Sequence, residues 1–135
     1  MACNPDMVPN TLVVTGTTTR LRDGPLAWNS FLDPMQAPPS VRPEVRHATL
    51  ASVMDETRTW LHTHRADTDV VDPEIGHMAQ AATKAGVGFA YLHIVTDNLN
   101  GTHAHGLYAE RSTPVATRRQ RCLHDIETVL NRSLT

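Results

Sequence analysis

The chain has 135 residues, enough for one domain with a modest hydrophobic core and too few for two independently folded domains. Its formal net charge is -2, so no global positive field favours nucleic acid or an acidic membrane surface. We therefore treat residues 1–135 as a single domain and expect neither kind of partner.

The cysteines and the apolar runs indicate the cellular compartment in which the protein is expected. Cys3 and Cys122 lie far apart and match no metal-ligand spacing, whereas a small secreted domain usually carries more cysteine pairs. No run approaches the roughly 20 apolar residues of a membrane helix, and the opening residues lack the basic and apolar regions of a signal peptide. We expect a soluble, unexported, cytoplasmic protein.

The sequence of the first half of the chain predicts two strands separated by a long loop. Residues 11–15 (TLVVT) form a β-branched run that ends at Gly16, which is typical of a buried strand. Prolines recur through residues 20–45 without a sustained period, so we predict a long proline-rich loop there and neither helix nor strand. Residues 46–52 predict the second strand, and residues 52–55 (SVMD) fit a capping box that opens a helix.

The second half alternates strands with helices. A short strand at residues 68–71 runs into Asp72, which can cap a helix, and Pro73, which suits its first position. The helix ends at Gly86 in a left-handed cap. We predict that its buried stripe comprises Ile75, Met78, Ala79 and Ala82.

Two further elements complete the prediction. Residues 88–96 (GFAYLHIVT) are apolar on both alternating faces, as in a central strand covered by helices on each side. Residues 114–134 have apolar side chains at helical spacing and predict a closing amphipathic helix. The alternation favours an α/β fold, a three-layer αβα sandwich with a mixed, mainly parallel sheet.

Two acidic residues stand where such folds bind ligands, at the carboxyl ends of strands. Glu74 lies in the first turn of a helix that follows a strand, and Asp97 directly follows the next strand. If the two strands pair as neighbours, both carboxylates reach one rim of the sheet. Each residue alone also fits an ordinary structural role, Glu74 as an acid favoured by the helix dipole and Asp97 as a turn residue.

The same segment resembles the nucleoside phosphorylase and nucleosidase family. Residues 70–74 (VVDPE), an alanine-rich helix and residues 88–97 (GFAYLHIVTD) are similar to its acidic-Met-Glu turn, its helix and its strand ending in Ser-Asp. Residues 8–24 (VPNTLVVTGTTTRLRDG) are similar to a strand and loop of the uridine phosphorylase branch. The resemblance implies the C-terminal half of the family fold, a truncated phosphorylase-like domain.

The resemblance also implies roles for individual residues. Glu74 takes the position of the glutamate that binds ribose hydroxyls, and Asp97 that of the acid that protonates a purine at N7 as the glycosidic bond breaks. Pro73 replaces a methionine that packs against the ribose. We count Pro73, His77 and Asn98 with Glu74 as candidate substrate-binding residues, His77 because it follows Glu74 by three positions.

The family's N-terminal half, with its glycine-rich phosphate loop, has no counterpart in these residues. Thr15 to Thr19 resembles an anion-binding loop but follows the later strand in the matched block, so we give it no phosphate role. Phosphate stays a possible co-substrate, and we expect no other cofactor. Missing strands would expose a sheet edge, so we expect a homo-oligomer or a complementary N-terminal half as partner.

The remaining polar clusters have ordinary explanations. His103 and His105 could touch a substrate or an ion, but a polar loop accounts for them, and we predict no metal site. Arg118, Arg119 and Arg121 form a basic patch typical of a solvated helix face. The sequence thus favours an enzyme that cleaves purine-type nucleosides by phosphorolysis or hydrolysis. The alternative is a non-catalytic, truncated or partner-dependent subunit for nucleoside binding or assembly.

Overall fold

The computed structural model describes residues 1–32, 37–98, 100 and 111–134. The strands within these ranges are β1 (Val13–Val14), β2 (Thr18–Leu21), β3 (Gly24–Ala27), β4 (Val41–Arg42), β5 (His47–Thr49), β6 (Val70–Asp72) and β7 (His93–Ile94). The α-helices are α1 (Arg58–His64), α2 (Ile75–Ala85) and α3 (Thr113–Ser133). None of these helices is both long and apolar enough to cross a membrane.

The strands form two sheets, both mixed. In the larger sheet the order is β3-β2-β5-β6, and β5 runs parallel to both of its neighbours while β2 and β3 form an antiparallel hairpin. In the smaller sheet the order is β4-β1-β7, with β1 parallel to β4 and antiparallel to β7. The prediction of a mixed, mainly parallel α/β arrangement is therefore confirmed.

Strands occur within the segment that the sequence predicted as loop. β3 and β4 lie inside residues 20–45, so the prediction of no strand there is wrong. Pro25 belongs to β3, which is the edge strand of its sheet, and an edge strand tolerates a residue that cannot donate a hydrogen bond. Gly24 opens the strand with φ of 133°, a conformation that favours glycine.

The predicted central strand is much shorter and pairs differently. Only His93 and Ile94 of residues 88–96 form a strand, and they pair with β1 rather than with β6. The first residues of the chain occupy the edge of β6 instead: the amide of Cys3 donates to the carbonyl of Asp69, and Ala2 forms bridges to both Val70 and Asn98. The condition of adjacent pairing, under which both carboxylates would reach one rim of a sheet, is therefore not met by β6 and β7.

Helix boundaries follow side-chain caps. Ser52 caps a single 3-10 turn (Val53–Asp55), whereas α1 begins only at Arg58, where the hydroxyl of Thr57 accepts the amide of Trp60. The predicted capping box thus opens a shorter element. Gly86 ends α2 in the left-handed region with φ of 66°, as predicted.

The buried face of α2 agrees with the predicted stripe at Ile75 and Ala79 but not at Met78. Ile75, Gly76 and Ala79 are buried, while Met78 is exposed. A Cβ on Gly76 would approach Thr49 Oγ1 at 2.6 Å, so the first turn of α2 rests directly on β5. The prediction for α3 is confirmed, since its buried residues are Val115, Cys122 and Val129.

Candidate active site

The turn between β6 and α2 is built around one carboxylate. Asp72 ends β6, and its Oδ1 accepts the amide hydrogens of Glu74 at 2.7 Å and of Ile75 at 2.8 Å. These amides would otherwise lack a partner at the start of the helix. Asp72 therefore caps α2, as the sequence predicted, and Glu74 stands exposed at the entrance to the helix.

The side chains around this turn line a cavity of about 410 Å³. This volume lies within the range of small-molecule sites, roughly 300 to 1,000 Å³. Four acidic residues contribute to its wall, together with one histidine and a set of apolar and small side chains. The lining residues are Met1, Glu56, Asp72, Pro73, Glu74, Leu92, His93, Ile94, Thr96, Asp97 and Ile126.

Asp97 reaches this cavity from the end of the segment that contains β7. Its carbonyl accepts the amide of Ala2 at 2.9 Å, and its carboxylate accepts the hydroxyl of Thr96 at 3.2 Å. The main chain of Asp97 is thus held by the N-terminal residues that separate β6 from this segment. The structure brings Glu74 and Asp97 to one cavity, although the strands that carry them are not neighbours.

Asp72 is ionised at neutral pH. Burial by itself raises the pKa of Asp72, but the hydrogen bond from His47 and those from the amides of Ile75 and Glu74 outweigh burial and lower the pKa to about 2. His47 Nε2 lies 3.0 Å from Asp72 Oδ2, and His93 Nδ1 lies 3.5 Å from the same oxygen. The cavity therefore has one wall with a fixed negative charge.

Two other titratable side chains on the wall are perturbed. Burial and the nearby carboxylates of Asp97, Asp72 and Glu74 raise the pKa of Glu56. Burial lowers the pKa of His93 despite the opposing charge of Asp72, which favours a neutral imidazole at neutral pH. The site combines an ionised carboxylate, a carboxyl group that retains its proton more readily and a neutral imidazole, which is a suitable set for proton transfer.

The other predicted substrate-binding residues are placed differently from one another. Pro73 lines the cavity beside Glu74. His77 is exposed on α2 and is not part of the cavity wall. Asn98 is buried, and its amide nitrogen donates to the carbonyls of Asn4 and Met7 at 2.9 Å each, so its side chain anchors the N-terminal segment. The roles of all five residues remain predictions.

Sequence reasoning missed three residues of the site: Glu56, His47 and His93. Their separation along the chain explains the omission, because β5, the 3-10 turn and β7 meet only through tertiary contacts. One signal was available. His47 lies in a short buried strand, and a buried histidine needs a polar partner.

Within the described part of the chain, no group of three His, Cys, Asp or Glu side chains could hold a metal ion. His103 and His105 lie outside the described residues.

Comparison with solved structures identifies the fold. MTAN from Chlamydia trachomatis matches with a TM-score of 0.60 and 16% identity, over 94% of this chain and 59% of its own. The 5'-methylthioadenosine nucleosidase from Arabidopsis thaliana has a TM-score of 0.66 and 17% identity, over 91% and 54%. The methylthioadenosine phosphorylase from Schistosoma mansoni, solved in complex with adenine, has a TM-score of 0.66 and 13% identity, over 98% and 60%.

The chain therefore has a partial form of the three-layer α/β fold shared by nucleosidases and nucleoside phosphorylases. The resemblance predicted from the sequence is confirmed at the level of the fold. No protein-family model and no curated protein sequence matches the chain. The chain spans less than two thirds of the length of these solved structures.

Proposed function

We propose that the protein cleaves the N-glycosidic bond of a purine nucleoside, with Asp97 as general acid and Glu74 as the ligand of the ribose hydroxyls. One observation carries the proposal: Glu74 and Asp97 line the same cavity of about 410 Å³ in a fold shared with methylthioadenosine nucleosidases. MTAN from Chlamydia trachomatis has been solved bound to adenine, which supports a purine ligand for this site.

The chemistry of the reaction fits this set of side chains. The bond breaks through a sugar with oxocarbenium character, so a proton must reach the leaving base while negative charge near the sugar stabilises the transition state. Asp97 donates the proton to the base. Glu74 binds the ribose hydroxyls, and the ionised carboxylate of Asp72 lies in the same wall.

Hydrolysis suits the charge of the cavity better than phosphorolysis. Four carboxyl side chains line it against the one α-ammonium group of Met1, and the described lining contains no arginine or lysine. A phosphate ion would meet like charges there, and like charges at short range are unfavourable. We therefore propose water as the acceptor of the sugar, with phosphate as a co-substrate only if a further chain contributes cations.

Turnover of nucleosides tests the proposal. Methylthioadenosine, adenosine and inosine are incubated with the protein with and without phosphate, and the free base is measured by chromatography. We expect base release in phosphate-free buffer and a loss of kcat of at least ~100-fold in Asp97→Asn, as for removal of a general acid. Asp23→Asn, in the exposed turn before β3, is the matched control. No base release under any condition, or equal rates in the two variants, contradicts the proposal.

A second candidate function follows from the length of the chain. Because the chain spans only 54% to 61% of the solved structures it resembles, it could serve as a nucleoside-binding subunit that acts with a second chain or a second copy. Calorimetric titration with adenine and light scattering after gel filtration test this candidate. Binding of adenine by an oligomer without base release favours the subunit, and a monomer that releases base contradicts it.

A further inference from the structure

A closed circuit of hydrogen bonds surrounds the turn that carries Glu74. Its first hydrogen bond joins α2 to β5: the amide of Gly76 donates to Thr49 Oγ1 at 2.9 Å. Thr49 Oγ1 lies 3.0 Å from Thr19 Oγ1 on β2. Thr19 Oγ1 lies 2.7 Å from His47 Nδ1, and His47 Nε2 lies 3.0 Å from Asp72 Oδ2.

The circuit returns to the helix from which it started. Asp72 Oδ1 accepts the amides of Glu74 and Ile75, the first residues of α2. The side chains that form the circuit are all buried. The first turn of α2 is thus tied to three strands of the larger sheet from two directions.

One direction of donation satisfies every group in the circuit when the imidazole is neutral. The hydroxyl of Thr49 donates to Thr19, the hydroxyl of Thr19 donates to His47 Nδ1, and His47 Nε2–H donates to Asp72. Each hydroxyl then both donates and accepts, and the carboxylate only accepts, as its chemistry requires. Buried networks that are complete in this way are rigid.

The circuit also fixes the distance between α2 and the sheet. A Cβ on Gly76 would lie 2.6 Å from Thr49 Oγ1 and 2.8 Å from Leu21 Cδ2, so the helix start has no room to move toward β5. Glu74 lies two residues before Gly76 and one residue before the first buried position of the helix. Glu74, which lines the cavity, therefore stands on a backbone that Asp72 and His47 hold in place.

We propose that His47 is a positioning residue of the candidate active site, which acts through Asp72 to fix Glu74 for the ribose hydroxyls. The proposal rests on the proposed function for the identity of the ligand. It assigns His47 no contact with substrate, because the side chain is 2% exposed and bonded at both ring nitrogens.

The test compares two substitutions at one position. His47→Gln keeps an N–H that can reach Asp72, whereas His47→Leu removes it while preserving an apolar body. Exposed His62→Leu on α1 is the matched control. Thr19→Val, which removes only the outer hydroxyl of the circuit, serves if His47→Leu does not fold.

Amide hydrogen exchange is the first measurement, and it does not depend on activity. In His47→Leu we expect the amides of Glu74, Ile75 and Gly76 to exchange ~10-fold faster or more, while those in the middle of α3 keep their rates. His47→Gln should restore most of the protection. Unchanged exchange at the start of α2, or an equal increase throughout the molecule, overturns the proposal.

Steady-state kinetics with methylthioadenosine is the second measurement. We expect KM to rise ~10-fold in His47→Leu with a smaller change in kcat, because uniform binding of the ribose is lost, and to recover in His47→Gln. A fall in kcat at constant KM overturns the positioning role. If the unaltered protein releases no base, the proposed function fails, and the exchange experiment still decides whether His47 holds the start of α2.

Discussion

Two walls of the cavity hold their carboxylates by different means. On the α2 wall, which we define as residues 72–75, the side chain of Asp72 caps the helix and is itself held by His47 in a buried network. On the β7 wall, residues 96–97, the main chain of Asp97 is bonded to Ala2, and among the described residues its carboxylate accepts a hydrogen bond from the neighbouring hydroxyl of Thr96.

The difference matches the two tasks proposed for these walls. A residue that binds ribose gains from a fixed backbone, because preorganisation lowers the entropy lost on binding. A general acid must follow a base whose position changes as the bond breaks, so a residue held mainly through its backbone, with one hydrogen bond from an exposed neighbouring hydroxyl, is suitable. The stability of the protein should therefore depend on the charge and burial of the α2 wall. Substitutions on the β7 wall should change only the catalytic rate.

The largest effect on stability is expected from Asp72→Asn, which removes the charge of the α2 wall and retains its size. The pKa of Asp72 is lowered from 3.8 to about 2, so its ionised form stabilises the fold above pH 4, and this contribution is lost as the pH falls toward 2. We expect the variant to lose about 2 kcal/mol at pH 7. Urea unfolding at several pH values measures the difference.

The pH dependence of that difference is the decisive feature. The two proteins should converge in stability as the pH falls from 4 to below 2, since Asp72 of the unaltered protein is protonated first in the unfolded state and then, near its folded-state pKa of about 2, in the folded state. Asp69 also has a pKa lowered to about 2, chiefly by its hydrogen bond to Arg46, but it is present in both proteins and cancels. If the difference in free energy of unfolding stays constant with pH, the shape of the side chain at position 72 matters rather than its charge.

A smaller effect, confined to binding, is expected from Glu74→Gln. Glu74 is exposed and bears no side-chain cap, so the variant should keep its stability within about 0.5 kcal/mol. We expect KM for methylthioadenosine to rise ~10-fold, because a carboxylate that accepts from two hydroxyls becomes an amide. A loss of kcat as large as that of Asp97→Asn would remove the distinction between the two walls.

The smallest effect is expected at the far end of α2, in Gly86→Ala. A Cβ there meets no atom within 4 Å, so only the positive φ of 66° opposes alanine, at a cost of about 1 kcal/mol. KM should not change, since the α2 wall is fixed at the other end of the helix. Gly88→Ala, where φ is not positive and the nearest atom is Phe31 Cδ1 at 3.5 Å, is the matched control. Thermal unfolding and KM together show whether the two ends of α2 act independently.

Local chemistry made one part of the site predictable. Asp72 as cap, Pro73 at the helix start and Gly86 at its end are signals that act within four residues, and the structure has all three features. The apolar segment before Asp97 was also recognisable, but its partner was not. Residues 1–3 lie along the edge of β6, and no pattern in the sequence indicated that a non-periodic terminal segment would take that place.

The sequence by itself determined the mixed α/β class, the start and end of α2, and two carboxylates beside the ends of strands, because caps and periodicities depend on near neighbours. Only the tertiary structure decided that Asp97 and Glu74 line one cavity although an intervening segment separates their strands, and that His47 and Asp72 form one buried pair. Asp97 and Glu74 lie 23 positions apart in the chain and His47 and Asp72 lie 25 apart, and the geometry of the second pair is set by the register of β2, β5 and β6. The physical reason is that register is fixed by the packing of the whole sheet and by no single segment.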